Sequence, residues 1–257
     1  RDGEGFEFQV LENGEFLIIW YTYPGISENE LSEQTFILGT GTIENNTATI
    51  PGVYKSRGPV FGGDYDKDDL EIVPWGDIII NFHDENTATV DYSGTDGSGS
   101  TDVTRLTRLA DSGSGAGLPV SMSAIWYDPG TNGQGWFVEI LPDNQALVYW
   151  FTYDENGNQA WSLGVGEIVG TTIQVPEMLS GKGARFGDEF NSTDVTLELT
   201  AQLSLEFESC NEGKVSILTA DGAVSLSYPV VRLTVLLGHD CSGFPPDPNT
   251  RATGSQF

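Results

Sequence analysis

Residues 5–23, "GFEFQVLENGEFLIIWYTY", reappear in altered form at 135–153 as "GWFVEILPDNQALVYWFTY". Gly5 falls on Gly135, Phe6 on Trp136, Trp20 on Trp150 and Tyr23 on Tyr153 at a constant offset. After a loop five residues shorter in the second copy, "FILGTGTI" (36–43) meets "WSLGVGEI" (161–168), Pro51 meets Pro176, and Phe82 meets Phe207. "FGGDYDKDDL" meets "FGDEFNSTDV", and "VTRLTRL" (103–109) meets "VVRLTVL" (230–236). A repeat of this length marks a tandem duplication. Residues 1–109 form the first β-repeat, 110–119 a Gly/Ser linker, 120–242 the second repeat and 243–257 a C-terminal tail.

Within each copy, short alternating runs separated by Gly, Asn and Asp have the period of half-buried strands. In the second copy they predict strands near 122–127, 135–141, 146–153, 160–168, 171–176, 195–207, 214–219 and 224–236. The class is all-β, with two tandem antiparallel domains of about eight strands each. An up-and-down barrel is favoured over a β-sandwich, because closure hides the edges of such short strands. "GTG" (39–41) and "GVG" (164–166) fall inside strands and precede no helix, so they read as bulges or close crossings, not phosphate loops. The first copy has no counterpart of "SAIWYDPG" (123–130), so it lacks its first strand.

Composition narrows the function. The chain carries 38 acidic and 11 basic residues, which argues against nucleic-acid or anionic-lipid partners. It has no apolar run of the roughly 20 residues that a membrane helix needs, so no membrane insertion is expected. Its two histidines, His83 and His239, belong to no catalytic spacing, and no nucleophile elbow is present. A hydrolase working through paired carboxylates is the remote alternative, since 38 acids offer many pairs.

Along 147–153, Leu147, Tyr149, Phe151 and Tyr153 share one face, and Val148, Trp150 and Thr152 the other. One face would fill a barrel; the other packs on the sister domain or holds a ligand. Trp20, Tyr23, Trp126, Tyr127, Trp150, Tyr153 and Trp161 are the candidate ligand platform for a carbohydrate or other small ligand. The competing structural account makes Trp150 and Trp161 cross-strand neighbours in a core.

Asp64, Asp66, Asp68 and Asp69 alternate in a Gly-led loop, which makes calcium the candidate cation, with a solvated acidic loop as the plainer reading. Arg105 and Arg232 recur at one position, as do Asp69 and Asp194, so the pairs Arg105–Asp69 and Arg232–Asp194 are expected as barrel-end or interior ion pairs, with a plain surface pair as the alternative. Cys210 and Cys241 occur together in one copy and are absent together from the other. They predict a disulfide and an oxidising compartment, extracellular, cell-surface or periplasmic.

"IWYDPGTNGQGWF" (125–137), "YWFTYDENGNQAW" (149–161) and "VVRLT" (230–234) resemble a β-rich repeat module of secreted or cell-surface proteins of Gram-negative bacteria. The resemblance implies location and fold class and transfers no catalytic residue. The expected function is a non-catalytic secreted or cell-surface binding or assembly protein, such as a subunit of an extracellular assembly. The alternative is a carbohydrate or small-ligand binding module. One expected partner is the protein itself, with residues 243–257 completing the first domain of the next molecule, head to tail, or of their own.

Overall fold

The computed structural model describes residues 3–25, 32–111, 117–239, 241 and 244. The chain is all-β and forms two antiparallel units. In the first, β1 (Gly5–Val10), β2 (Phe16–Thr22), β3 (Thr35–Glu44), β4 (Thr47–Arg57), β5 (Glu71–Phe82), β6 (Thr87–Gly94) and β7 (Gly97–Thr104) follow one another in a curled sheet of seven strands. In the second, β8 (Ala124–Tyr127) and β9 (Gly135–Leu141) are followed by β10 (Gln145–Tyr153), β11 (Gln159–Val169) and β12 (Thr172–Lys182). β13 (Thr196–Phe207), β14 (Glu212–Thr219) and β15 (Ser225–Arg232) complete a closed barrel of eight.

Closure depends on the short strand β8. It pairs with β9 through Ala124–Val138, Ile125–Phe137 and Trp126–Trp136, and with β15 through Tyr127–Val231 and Trp126–Arg232. Among the described residues the first sheet has no such strand, so β1 pairs only with β2, and β7 only with β6.

The glycines inside β3 and β11 are where the sheet turns sharply. A Cβ on Gly41 would meet the Thr49 carbonyl oxygen, and one on Gly164 the Glu177 carbonyl oxygen. The register slips beside them, between Leu38 and Thr42 and between Leu163 and Glu167, as expected for bulged, tightly curved strands.

Three apolar clusters hold the molecule. Trp126, Trp136, Val138, Val148 and Trp150 are among those filling the barrel, while Phe16, Ile18, Trp20, Ile37 and Trp75 belong to the core of the first sheet. The third lies between the two units and joins Leu17, Ile19, Tyr21 and Phe36 to Phe137, Leu147, Tyr149, Phe151 and Trp161. The two faces of residues 147–153 are thus both covered, one by the barrel interior and the other by the sister domain. A strand so placed loses apolar surface to water on both sides, at roughly 25 cal/mol per Å2.

Candidate functional site

Equivalent residues of the two copies make equivalent contacts across their interface. Phe186, from the β12–β13 loop, enters the first core, where its ring centroid lies 4.9 Å from Trp20, 5.8 Å from Trp75 and 5.5 Å from Tyr92. Its counterpart Phe61, from the β4–β5 loop, lies 5.6 Å from Trp150 against the barrel core. Tyr23 meets Phe190 at 5.9 Å and Tyr153 meets Tyr65 at 6.2 Å.

Two glutamines clamp the interface. The Gln34 amide donates to the Trp161 carbonyl (2.9 Å) and accepts from the Trp161 N–H (3.0 Å). Gln159 does the same with Phe36, donating at 2.8 Å and accepting at 3.1 Å, and also accepts from the Thr35 hydroxyl at 2.6 Å. A carboxamide carries the donor and acceptor of a peptide group. Each glutamine therefore stands in for a neighbouring strand where the ladder of the other copy splays open.

The end of the first copy also crosses to β9, and the end of the second to the residues of β1. The Ala110 N–H donates to the Ile140 carbonyl (2.8 Å), as the Leu237 N–H does to that of Val10 (2.9 Å). The Thr107 hydroxyl donates to Glu139 (2.7 Å), and that of Thr234 to the Gln9 side chain (2.9 Å).

Glu7 is sealed into the same interface at 7% exposure, with Tyr149 hydrogen-bonded to it. Burial pushes its pKa well above the usual 4.5, and the charge of nearby Glu139 adds to this. Burial also raises Glu139, partly offset by the Thr107 hydroxyl and by Arg105, and raises the Tyr21 hydroxyl to about 12.

What distinguishes the copies is the place of β8. In the barrel, Trp126 is fully buried with its ring 4.7 Å from Phe207, and Trp136, Val138, Phe207 and Val230 are no more than 2% exposed. Their first-copy equivalents Phe6, Phe8, Phe82 and Val103 are all half-buried. Phe8 rests on Phe82 at 6.0 Å and on Phe16 at 5.6 Å. Residues 235–237 already bond to Val10 and Glu12 of the first copy. Among the described residues, β1 therefore has no strand on its edge away from β2 over Gly5–Gln9. This stretch includes Phe6–Phe8, the counterparts of Trp136–Val138, which β8 covers in the barrel.

The aromatic candidates do not form an exposed platform. Trp20, Tyr23, Trp126, Trp150, Tyr153 and Trp161 are all 5% exposed or less, and Tyr127 is half-buried. Trp161 pairs across the ladder with Phe151, while Trp150 faces Ser162, so the two tryptophans lie on opposite faces and are not cross-strand neighbours in one core. Alternation along the strand puts a one-residue difference in register onto the other face. A shallow hollow of about 700 Å3 crosses the outside of the barrel between Glu167, Gln174, Gln202 and Ser216, with no aromatic side chain lining it.

The acidic loop does not converge on a cation. Asp66 accepts from the Asp68 N–H, Asp68 pairs with Lys67, and Asp64 and Asp69 are exposed. Among the described residues no group of three His, Cys, Asp or Glu is placed to hold a metal.

The anticipated ion pairs are replaced by other contacts. Arg105 donates to the Thr107 carbonyl (2.7 Å); Arg232 donates to the Asn211 side chain (3.1 Å) and the Ser121 carbonyl (3.2 Å). Asp69 and Asp194 sit exposed in short 3-10 turns. An interior pair among the described residues is Lys55–Asp96 at 2.6 Å, with the Trp75 indole donating to the same carboxylate at 2.5 Å.

Cys210 and Cys241 form the disulfide. It ties the segment after β15 to the β13–β14 turn, and Phe244 packs on the barrel core. The remaining tail lies outside the described residues. Among the described residues no helix is long and apolar enough to cross a membrane.

Sequence reasoning missed the glutamine clamps. Their signal is a glutamine two residues before an aromatic in both copies, Gln34 before Phe36 and Gln159 before Trp161. No family model, curated protein or solved structure matches the chain.

Proposed function

We propose that this chain is a non-catalytic assembly protein of the cell exterior, in which the second copy is a finished scaffold and the first copy is the docking element. The observation that carries this reading is the unclosed position between β1 and β7. Two strand edges flank half-buried Phe6, Phe8, Phe82 and Val103, where the sister copy has β8. Strand edges beside apolar side chains recruit further strands, with the ladder giving affinity and the pockets specificity.

Three further features support the reading. The Cys210–Cys241 disulfide is compatible with an oxidising compartment. The net charge of −27 keeps the remaining surface soluble and self-repelling, which disfavours indiscriminate edge-to-edge association. The paired acids Glu7 and Glu139 are buried between the copies with tyrosines and threonine, an arrangement that serves an interface better than a substrate.

Amide hydrogen exchange tests the reading residue by residue. The outward amides of Gly5–Gln9 and Gly97–Thr104 are expected to exchange much faster than those of Gly135–Leu141 and Ser225–Arg232 in the same molecule. Equal protection of the two sets would show that the first sheet is already closed, and the docking role would fall.

A further inference from the structure

We infer that Lys55 and Asp96 are a cross-linking pair, which condenses to a side-chain amide joining β4 to the β6–β7 turn. This holds whether or not the open edge of the first sheet takes a further strand.

Contact between the two groups is built from several sides. Lys55 is 8% exposed on β4, and its Nζ meets Oδ2 of Asp96 at 2.6 Å, with the two side chains only 11% and 5% exposed. The Trp75 indole donates to the same Oδ2 at 2.5 Å, and its ring packs on Trp20, Tyr92 and Phe186. The Trp75 carbonyl accepts from the Thr95 N–H at 2.9 Å, which holds the turn against β5. Gly25 covers the other oxygen, since a Cβ there would lie 3.0 Å from Oδ1.

The sister copy has the same hairpin without the pair. Ser180, Thr200 and Asp221 stand in the places of Lys55, Trp75 and Asp96. There the aspartate is exposed and accepts from the Thr219 hydroxyl at 2.6 Å and the Ala223 N–H at 2.9 Å, which is the work of an Asx turn. The turn itself needs only the aspartate. The lysine and the indole are particular to the first copy, and they hold its carboxylate inside.

The chemistry balances within the pair. One ammonium proton passes to Oδ2, leaving an amine against a carboxylic acid. The nitrogen adds to Cγ, a second proton follows to the same oxygen, and the Cγ–Oδ2 bond breaks to release one water. Oδ1 remains as the amide carbonyl, and no oxidant or further reactant is consumed. The indole N–H draws electron density toward Oδ2, which opens Cγ to attack and eases the departure of that oxygen. Holding the partners in contact removes the entropic cost of their encounter. An ion pair taken out of water gains little over its desolvation, whereas an amide leaves no charge beside the aromatic core. The bond pins the base of β7 to β4, so that the outer hairpin cannot peel from the sheet.

The test is the mass of the intact disulfide-bonded protein, held folded at neutral pH and then denatured for mass spectrometry. It should be one water below the mass of the sequence, apart from the two hydrogens of the disulfide. Trypsin should give a branched product in which residues 2–57, uncut at Lys55, are joined to 68–105. Lys55→Met and Asp96→Ala should each carry their full mass, and Asp96→Asn should lose one ammonia in place of one water. A parent protein that unfolds cooperatively in urea yet keeps its full mass would overturn the inference, whatever the variants do. So would a lost water that persists in Lys55→Met or maps to Asp96–Gly97 without Lys55, because an aspartate before glycine can close on the next backbone nitrogen as a cyclic imide.

Discussion

Replacing Gln159 by alanine removes one interdomain clamp and leaves its partners stranded. The Phe36 N–H and carbonyl and the Thr35 hydroxyl lose their bonds in a place where Phe36 is 4% and Thr35 2% exposed. Ser56, the fourth partner, keeps its bond from the Tyr153 hydroxyl. A buried group left unsatisfied costs roughly 1–3 kcal/mol, so three of them, eased by water entering the vacated space, give a loss of about 3 kcal/mol. Gln34→Ala should cost about half as much. It strands the Trp161 N–H, but the Trp161 carbonyl retains the Ser180 hydroxyl at 3.1 Å. Urea unfolding of the two variants and the parent, compared at constant slope, measures both losses. Equal losses, or both below about 0.5 kcal/mol, would refute the argument that the amides replace missing ladder partners.

Phe186→Ala empties the space between Trp20, Trp75 and Tyr92 and should destabilise by about 3–4 kcal/mol, against markedly less for half-exposed Phe61→Ala; urea midpoints will order them. Glu7 has a raised folded pKa, so its contribution is fully present below the unfolded value near 4.5 and is lost as pH rises through the folded pKa. The Tm of Glu7→Gln should therefore fall less than that of the parent between pH 4.5 and neutrality, and parallel profiles would contradict the burial argument. Reducing the Cys210–Cys241 bond, whose cysteines are 31 residues apart, should cost about 3.5 kcal/mol in the chain-entropy account, read as a fall in Tm with reductant.

The strands were legible because their period of two survives in both copies, and the closed barrel follows the eight runs read in residues 120–236. The open edge of β1 was legible too, since no residue given for the first copy matches "SAIWYDPG". What covers the second face of residues 147–153 was not legible, because a ring packed on a sister domain and a ring waiting for a sugar have the same sequence. The recurrence of Arg105 with Arg232 and of Asp69 with Asp194 misled, because a shared position does not imply a shared contact. The interior Lys55–Asp96 pair escaped for the opposite reason: the second copy has Ser180 in place of Lys55, so the repeat gives no hint of it. Gln34 and Gln159 do recur, yet glutamine at the mouth of a strand reads as surface until the facing copy is in place.

The exchange of Phe61 and Phe186 between the copies bears on the order in which the chain acquires its shape. Domains usually fold from the amino end as they are synthesised. Here the leading half emerges with the place that Phe186 fills still empty and with the Phe36 backbone still waiting for Gln159. The trailing half closes its barrel by pairing β8 with β9 and β15, all within its own sequence. Each copy thus completes the core of the other, and the earlier-made half cannot finish its own until Phe186 and Gln159 have been synthesised.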